Sequence, residues 1–138
     1  MAPTTTVNPP SATPLSPFYS RLTEAWEVAG TFACVGLDPE LGKIPALLKS
    51  EAEPLFQFCK EIVDATADLV CAFKPQIAYF SAQRAEGELE KLCHHIKARH
   101  PSKILILDAK RGDIGSTAEL YSREAFDRYG ADAVTDNP

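Results

Sequence analysis

The sequence predicts an α/β protein whose strands form a parallel sheet enclosed by helices. Short apolar runs, "FACVGL", "LVCAFK", "KILILDAK" and "ADAVT", recur between longer segments with helical apolar spacing. These runs do not alternate apolar with polar residues, which is the pattern of strands covered on both faces. Asp38, Lys74, Asp108 and Lys110 fall at the carboxyl ends of the runs, the place where α/β folds carry their active sites.

The elements follow in order. Residues 1–17, "MAPTTTVNPPSATPLSP", are rich in Pro, Thr and Ser and read as a disordered tail; they lack the basic start and apolar centre of a secretory signal. Residues 18–138 read as one domain. "FYSRLTEAWEVAG" is helical, with Trp26 and Leu22 at core spacing, and "FACVGL" closes on Asp38-Pro39. "EPLFQFCKEIVDATAD" and "AQRAEGELEKLCHHIKARH" are helical and flank the strand "LVCAFK". After "KILILDAK" comes the helix "STAELYSREAFDRYG", with Ser116 and Glu119 placed for a capping box and Gly130 at the stop. "ADAVT" is the fourth strand, and Asn137 follows it. A closed barrel of eight such units takes about 250 residues, so four strand units do not close one, and the sequence reads as cut after the last strand.

Composition narrows the function. The chain is 45% hydrophobic and 24% charged, as expected of a globular core. Its formal charge is −5 with scattered positive residues, which argues against a nucleic-acid partner. No run reaches the roughly 18 apolar residues of a membrane span. Cys34, Cys59, Cys71 and Cys93 are irregularly spaced without a C-x-x-C, and read as buried free thiols in a reducing cytoplasm. Cys93-His94-His95 reads as a surface cluster, because no ligand pair lies at a repeating metal-binding spacing.

The charged residues carry the chemistry. Side chains two apart on a strand share a face, so Asp108 and Lys110 point together while Ala109 points away. Lys74 follows Val70 and Ala72, and Asp38 follows Cys34 and Gly36, by the same parity. Taken singly, each could be a solvated ion pair ending a strand. Parity does not give the face that each set occupies; if all four face the open end of the sheet, they form a Lys-Asp-Lys cluster with Asp38 at its side, in which a carboxylate keeps Lys110 charged and aimed. Ser116 and Glu119 account for the helix cap, which leaves Asp113 free.

The stretches "FACVGLDPE", "DLVCAFKPQIAYF", "ILDAKRGDIGSTAE" and "GADAVT" followed after one residue by "NP" resemble the orotidine 5′-phosphate decarboxylase family in its larger bacterial form, over roughly Phe18 to Pro138. D-x-K-x-x-D is shared with other phosphosugar enzymes of the superfamily; I-G-S-T after it and the accompanying F-K-P-Q-I make the resemblance specific. It implies a TIM-barrel-type βα repeat, about four of eight units being present, and a homodimer that releases CO₂ from orotidine 5′-phosphate to give UMP without metal or organic cofactor. It further implies that Asp38 touches the ribose and Lys74 holds a ribose hydroxyl. Asp108 would lie beside the substrate carboxylate, and Lys110 would protonate the carbon that loses CO₂. Asp113 and Thr117 would reach into the partner's site across the dimer interface, and Ile114 would line the pyrimidine pocket. In that family the phosphate is gripped by later βα loops.

Two rivals stand beside this reading. One is a related magnesium-dependent phosphosugar decarboxylase or synthase, using the D-x-K-x-x-D carboxylates on the metal; the other is a non-catalytic half-barrel that pairs through its strand edges. One departure from the family pattern is Asp136, a charge before Asn-Pro at a strand end expected to be buried. The chain is expected to be inactive alone.

Overall fold

The computed structural model describes residues 16–137, so most of the expected tail, residues 1–15, lies outside the described residues. The elements are α1 (Pro17–Ala29), β1 (Cys34–Leu37), α2 (Ala46–Lys49), α3 (Pro54–Thr66), β2 (Ala72–Pro75), α4 (Ile77–Ser81), α5 (Glu86–Arg99), β3 (Ile104–Leu107), α6 (Gly115–Arg123) and β4 (Ala133–Val134). A 3₁₀ turn follows α3 at Ala67–Leu69, and a π turn extends α6 at Glu124–Arg128. The strands pair in parallel in the order β1-β2-β3-β4. Each strand therefore lies beside its sequence neighbour, the winding of a barrel wall rather than of a doubly wound sheet. The α/β class holds.

Local chemistry sets the helix ends. Pro17 occupies the first turn of α1, where its missing N–H costs nothing, and the Ser16 hydroxyl accepts the Tyr19 N–H. The helix thus starts one residue inside the expected tail. It ends at Gly30, whose φ of +63° lets its N–H reach the Trp26 carbonyl at 2.8 Å. Gly30→Ala is expected to cost about 1 kcal/mol, because an L side chain is strained in that conformation. A lower urea midpoint with an unchanged slope would register it. The amino end of α3 is capped from a distance: Glu88 of α5 accepts the Phe56 N–H at 2.9 Å.

Two apolar layers enclose the sheet. On the outer face Leu37, Phe73, Leu105 and Leu107 are buried with Leu55, Cys59 and Val63 of α3 and Leu89, Leu92 and Ile96 of α5. Each such side chain stabilises the fold by about 1.5–3 kcal/mol. On the inner face Ala72 and Ile104 are covered by α1 through Leu22, Ala25 and Trp26, which makes Trp26 a packing residue as expected. Burial on both faces holds for β2 and β3 but not for β1, whose Cys34 and Gly36 are exposed. β1 lies at the edge of the described sheet, and the apolar face of α1 packs on residues of β2 and β3. Cys34 is thus an exposed free thiol, contrary to expectation, whereas Cys59, Cys71 and Cys93 are buried and free.

A buried carboxylate ties the end of the sheet opposite the charged cluster. Asp132 receives Lys97 of α5 at 2.8 Å, Arg21 of α1 and, on its other oxygen, the Leu105 N–H at 2.9 Å. It links two helices to the start of β3.

Candidate active site

At the carboxyl ends of the strands, Lys74, Asp108 and Lys110 converge. The Asp108 side chain is the hub: Lys74 Nζ donates to Oδ2 at 2.7 Å, and Lys110 Nζ and Thr135 Oγ1 (2.7 Å) donate to Oδ1. Asp108 is only 5% exposed. Burial alone would raise its pKa, but the bonds from Lys110, Lys74 and Thr135 outweigh it and hold the carboxyl well below the usual carboxylate range. The bond to Asp108 raises the pKa of Lys74 in turn, against partial burial, with Asp38 adding to the effect.

Lys74 and Asp108 meet because the register of β2 on β3, with Ala72 beside Ile104 and Gln76 beside Asp108, puts them on one face. The expected strand parity of Asp108 with Lys110 is not what brings Lys110 in, because β3 ends at Leu107 and Asp108 is held by a single bridge to Gln76. Lys110 has φ +50°, a conformation uncommon for a residue with a side chain and one that needs local support. The support comes from the end of β4. Thr135 Oγ1 accepts the N–H groups of Ala109 (3.1 Å) and Lys110 (3.2 Å), and Asn137 Nδ2 donates to the Lys110 carbonyl at 2.9 Å. Thr135 thus fixes both the carboxylate and the backbone that aims the ammonium. Sequence reading passed over it, although it stands at a strand end as Asp108 does.

The other expected site residues lie around this hub rather than in it. Asp38 is exposed after β1 and acts on Lys74 through its charge. Asp113 is exposed, and its Oδ1 accepts the Ile114 N–H at 2.8 Å. Ile114 is 87% exposed and Thr117 is half-buried on α6. The expected Ser116–Glu119 capping box is not formed: α6 begins at Gly115, which puts Ser116 inside the first turn, and no side chain caps the helix. Arg111 turns away from Lys110 to pair with Glu124 and to lie 5.4 Å over the Tyr121 ring, anchoring the loop to α6. Asp136 is not a buried charge at all. It is exposed, accepts the Asn137 N–H at 2.7 Å, and its carboxylate lies in the space that the missing side chain of Gly112 leaves open.

The match to known proteins decides the lineage. Residues 32–138 match the model of the orotidine 5′-phosphate decarboxylase / HUMPS family. The chain belongs to this family. The orotidine 5′-phosphate decarboxylases of Janthinobacterium sp. (strain Marseille) and Aromatoleum aromaticum are 59% and 60% identical to it over 121 residues, 88% of this chain and 45% of each relative. The structure of Leishmania donovani OMP decarboxylase superposes with a TM-score of 0.71 at 32% identity, over 86% of this chain and 43% of that one. The chain therefore spans about half the length of the decarboxylases it matches, and its four-stranded parallel sheet with alternating helices corresponds to part of a TIM barrel. No helix among the described residues is long and apolar enough to cross a membrane.

Proposed function

We propose that this chain supplies the charged half of an orotidine 5′-phosphate decarboxylase site, converting orotidine 5′-phosphate to UMP and CO₂ in the cytoplasm. The observation that carries the reading is the Lys74–Asp108–Lys110 hub at the strand ends. Loss of CO₂ leaves a poorly delocalised carbanion on the pyrimidine ring. A fixed ammonium stabilises that charge as it develops and then delivers the proton. Lys110 has that role, Lys74 and Asp38 hold the ribose, and Ile114 borders the base. Asp113 and Thr117 serve the partner's site in a homodimer, which suits their position outside the hub. No cofactor enters the reaction.

Asp108 beside the substrate carboxylate would repel it by about 4 kcal/mol at 4 Å and an effective dielectric of 20. Relief of all of it would yield only about three decades of rate. With two ammonium groups on one carboxylate, the hub carries a net +1, so repulsion is the lesser contribution. Preorganised charge and binding energy at the phosphate, held by the half of the barrel that the relatives add, supply the rest. The magnesium-dependent rival is disfavoured because both Asp108 oxygens already accept ammonium groups.

The test joins this chain to the remaining half of the Janthinobacterium relative. The joined barrel should release CO₂ and UMP from orotidine 5′-phosphate in EDTA, with no response to magnesium; a strict magnesium requirement would instead favour the rival. In the same barrel Thr135→Val should lower kcat about a hundredfold by loosening the aim of Lys110. KM should change little and Thr135→Ser should restore the rate; a loss carried by KM alone would deny Thr135 this positioning role.

A further inference from the structure

Outside the site, three ligand-type side chains from separate parts of the chain meet on the outer helical layer. Asp64 lies near the carboxyl end of α3, His95 on α5 and His100 just past α5. His95 Nε2 is 2.7 Å and His100 Nε2 3.0 Å from the same oxygen, Oδ1 of Asp64. One ligand atom from each residue lies within 4.8 Å of the others.

The surroundings hold this arrangement. Lys60 donates to the other carboxylate oxygen, Oδ2, at 2.8 Å, which orients Oδ1 toward the imidazoles, and Glu61 lies 3.6 Å from Lys60 and offsets its charge. The two rings meet edge-to-face at 5.9 Å, and Phe56 packs edge-on against His95 at 6.3 Å. Both histidines are half-buried.

We propose that Asp64, His95 and His100 bind a borderline divalent transition cation of the zinc, cobalt or nickel kind. Two imidazoles and one carboxylate are a donor set suited to these ions and poorly suited to magnesium or calcium. Nitrogen and oxygen ligands about 2.0–2.2 Å from zinc stand roughly 3.3 Å apart in a tetrahedron. The two imidazole nitrogens stand 2.7 and 3.0 Å from Asp64 Oδ1, so a few tenths of an ångström of opening brings each to that separation from the carboxylate, with the fourth position left to water. Such an ion would clamp α3 to the end of α5. His100 and Asp64 precede β3 and β2, at the end of the sheet away from Lys110, so the ion would act on stability and not on the reaction. The sequence hides the site because Asp64 stands 31 positions before His95.

Calorimetric titration of the 138-residue chain with Zn²⁺, Co²⁺ and Mg²⁺ tests this. The expected result is one Zn²⁺ per chain, a higher melting temperature, a visible Co²⁺ absorption band of tetrahedral intensity, and no uptake of Mg²⁺. His95→Gln and His100→Gln, which keep side-chain size, should each weaken Zn²⁺ at least tenfold, whereas His94→Ala and the exposed-thiol variant Cys34→Ser should leave binding unchanged. Absence of both stoichiometric Zn²⁺ binding and the Co²⁺ band in the unaltered chain overturns the proposal. So does Zn²⁺ binding that survives both glutamine substitutions or disappears with Cys34→Ser.

Discussion

Lys110→Ala in the joined barrel should lower the turnover of orotidine 5′-phosphate by about four decades or more, with UMP affinity changed far less. The magnitude follows from two roles on one atom. A positioned general acid contributes about 10²–10⁴, and a preorganised charge aimed at a developing anion about 10²–10³. The two are not independent, so their product is an upper bound. Lys110→Arg should not rescue the rate. A guanidinium keeps the charge but holds its proton too tightly to deliver it, and its planar fork does not fit the single bond to Asp108 Oδ1. Initial rates under saturating substrate decide the matter. A kcat within tenfold of the parent would remove Lys110 from the chemistry.

Asp108→Asn should damage both folding and turnover. It leaves Lys74 and Lys110 facing each other without the carboxylate that both now contact. Removing one partner of a buried ion pair costs about 3–5 kcal/mol. Both lysines reach solvent, with side chains 33% and 56% exposed, so the expected cost is nearer 2 kcal/mol after screening. The pH dependence has a definite sign. The folded pKa of Asp108 lies below its unfolded value, near 3.9, so the unfolded chain takes up the proton first. The carboxylate's contribution is therefore complete above about pH 4–5 and fades as the pH falls further toward the folded pKa. Asn cannot titrate, and the lowered pKa of Asp64 affects parent and variant alike. The gap between their urea midpoints should be widest at pH 7 and smaller at pH 3, where part of the contribution is already lost; a gap independent of pH would mean that Asp108 is not the stabilising carboxylate.

What the sequence reveals of this molecule depends on the range of the interaction. The four strands and the main helices were legible because their apolar periods are local, and Lys74 and Asp108 were legible as charges at the carboxyl ends of apolar runs, although the face they share is set by the pairing of β2 with β3. The left-handed turn at Lys110 was not, since Thr135 and Asn137, some 25 residues away, hold it. The same limit hid the pairing of Asp64 with His95 and His100. The cap of α6 was misplaced for a different reason. A Ser-x-x-Glu pattern marks a helix start only when the chain enters there, and here the helix begins one residue earlier at Gly115. The exposure of Cys34 follows from its strand's place at the sheet edge, which periodicity does not encode.

On the proposed function these residues supply the charge, and the remaining half of the relatives' barrel supplies the phosphate grip. The most direct measurement is the loss of orotidine 5′-phosphate absorbance, first with the 138-residue chain alone and then with the chain joined to the Janthinobacterium half. No turnover is expected from the chain alone, and sustained turnover on joining. A joined barrel that folds and binds UMP yet leaves the substrate intact would contradict the proposed function.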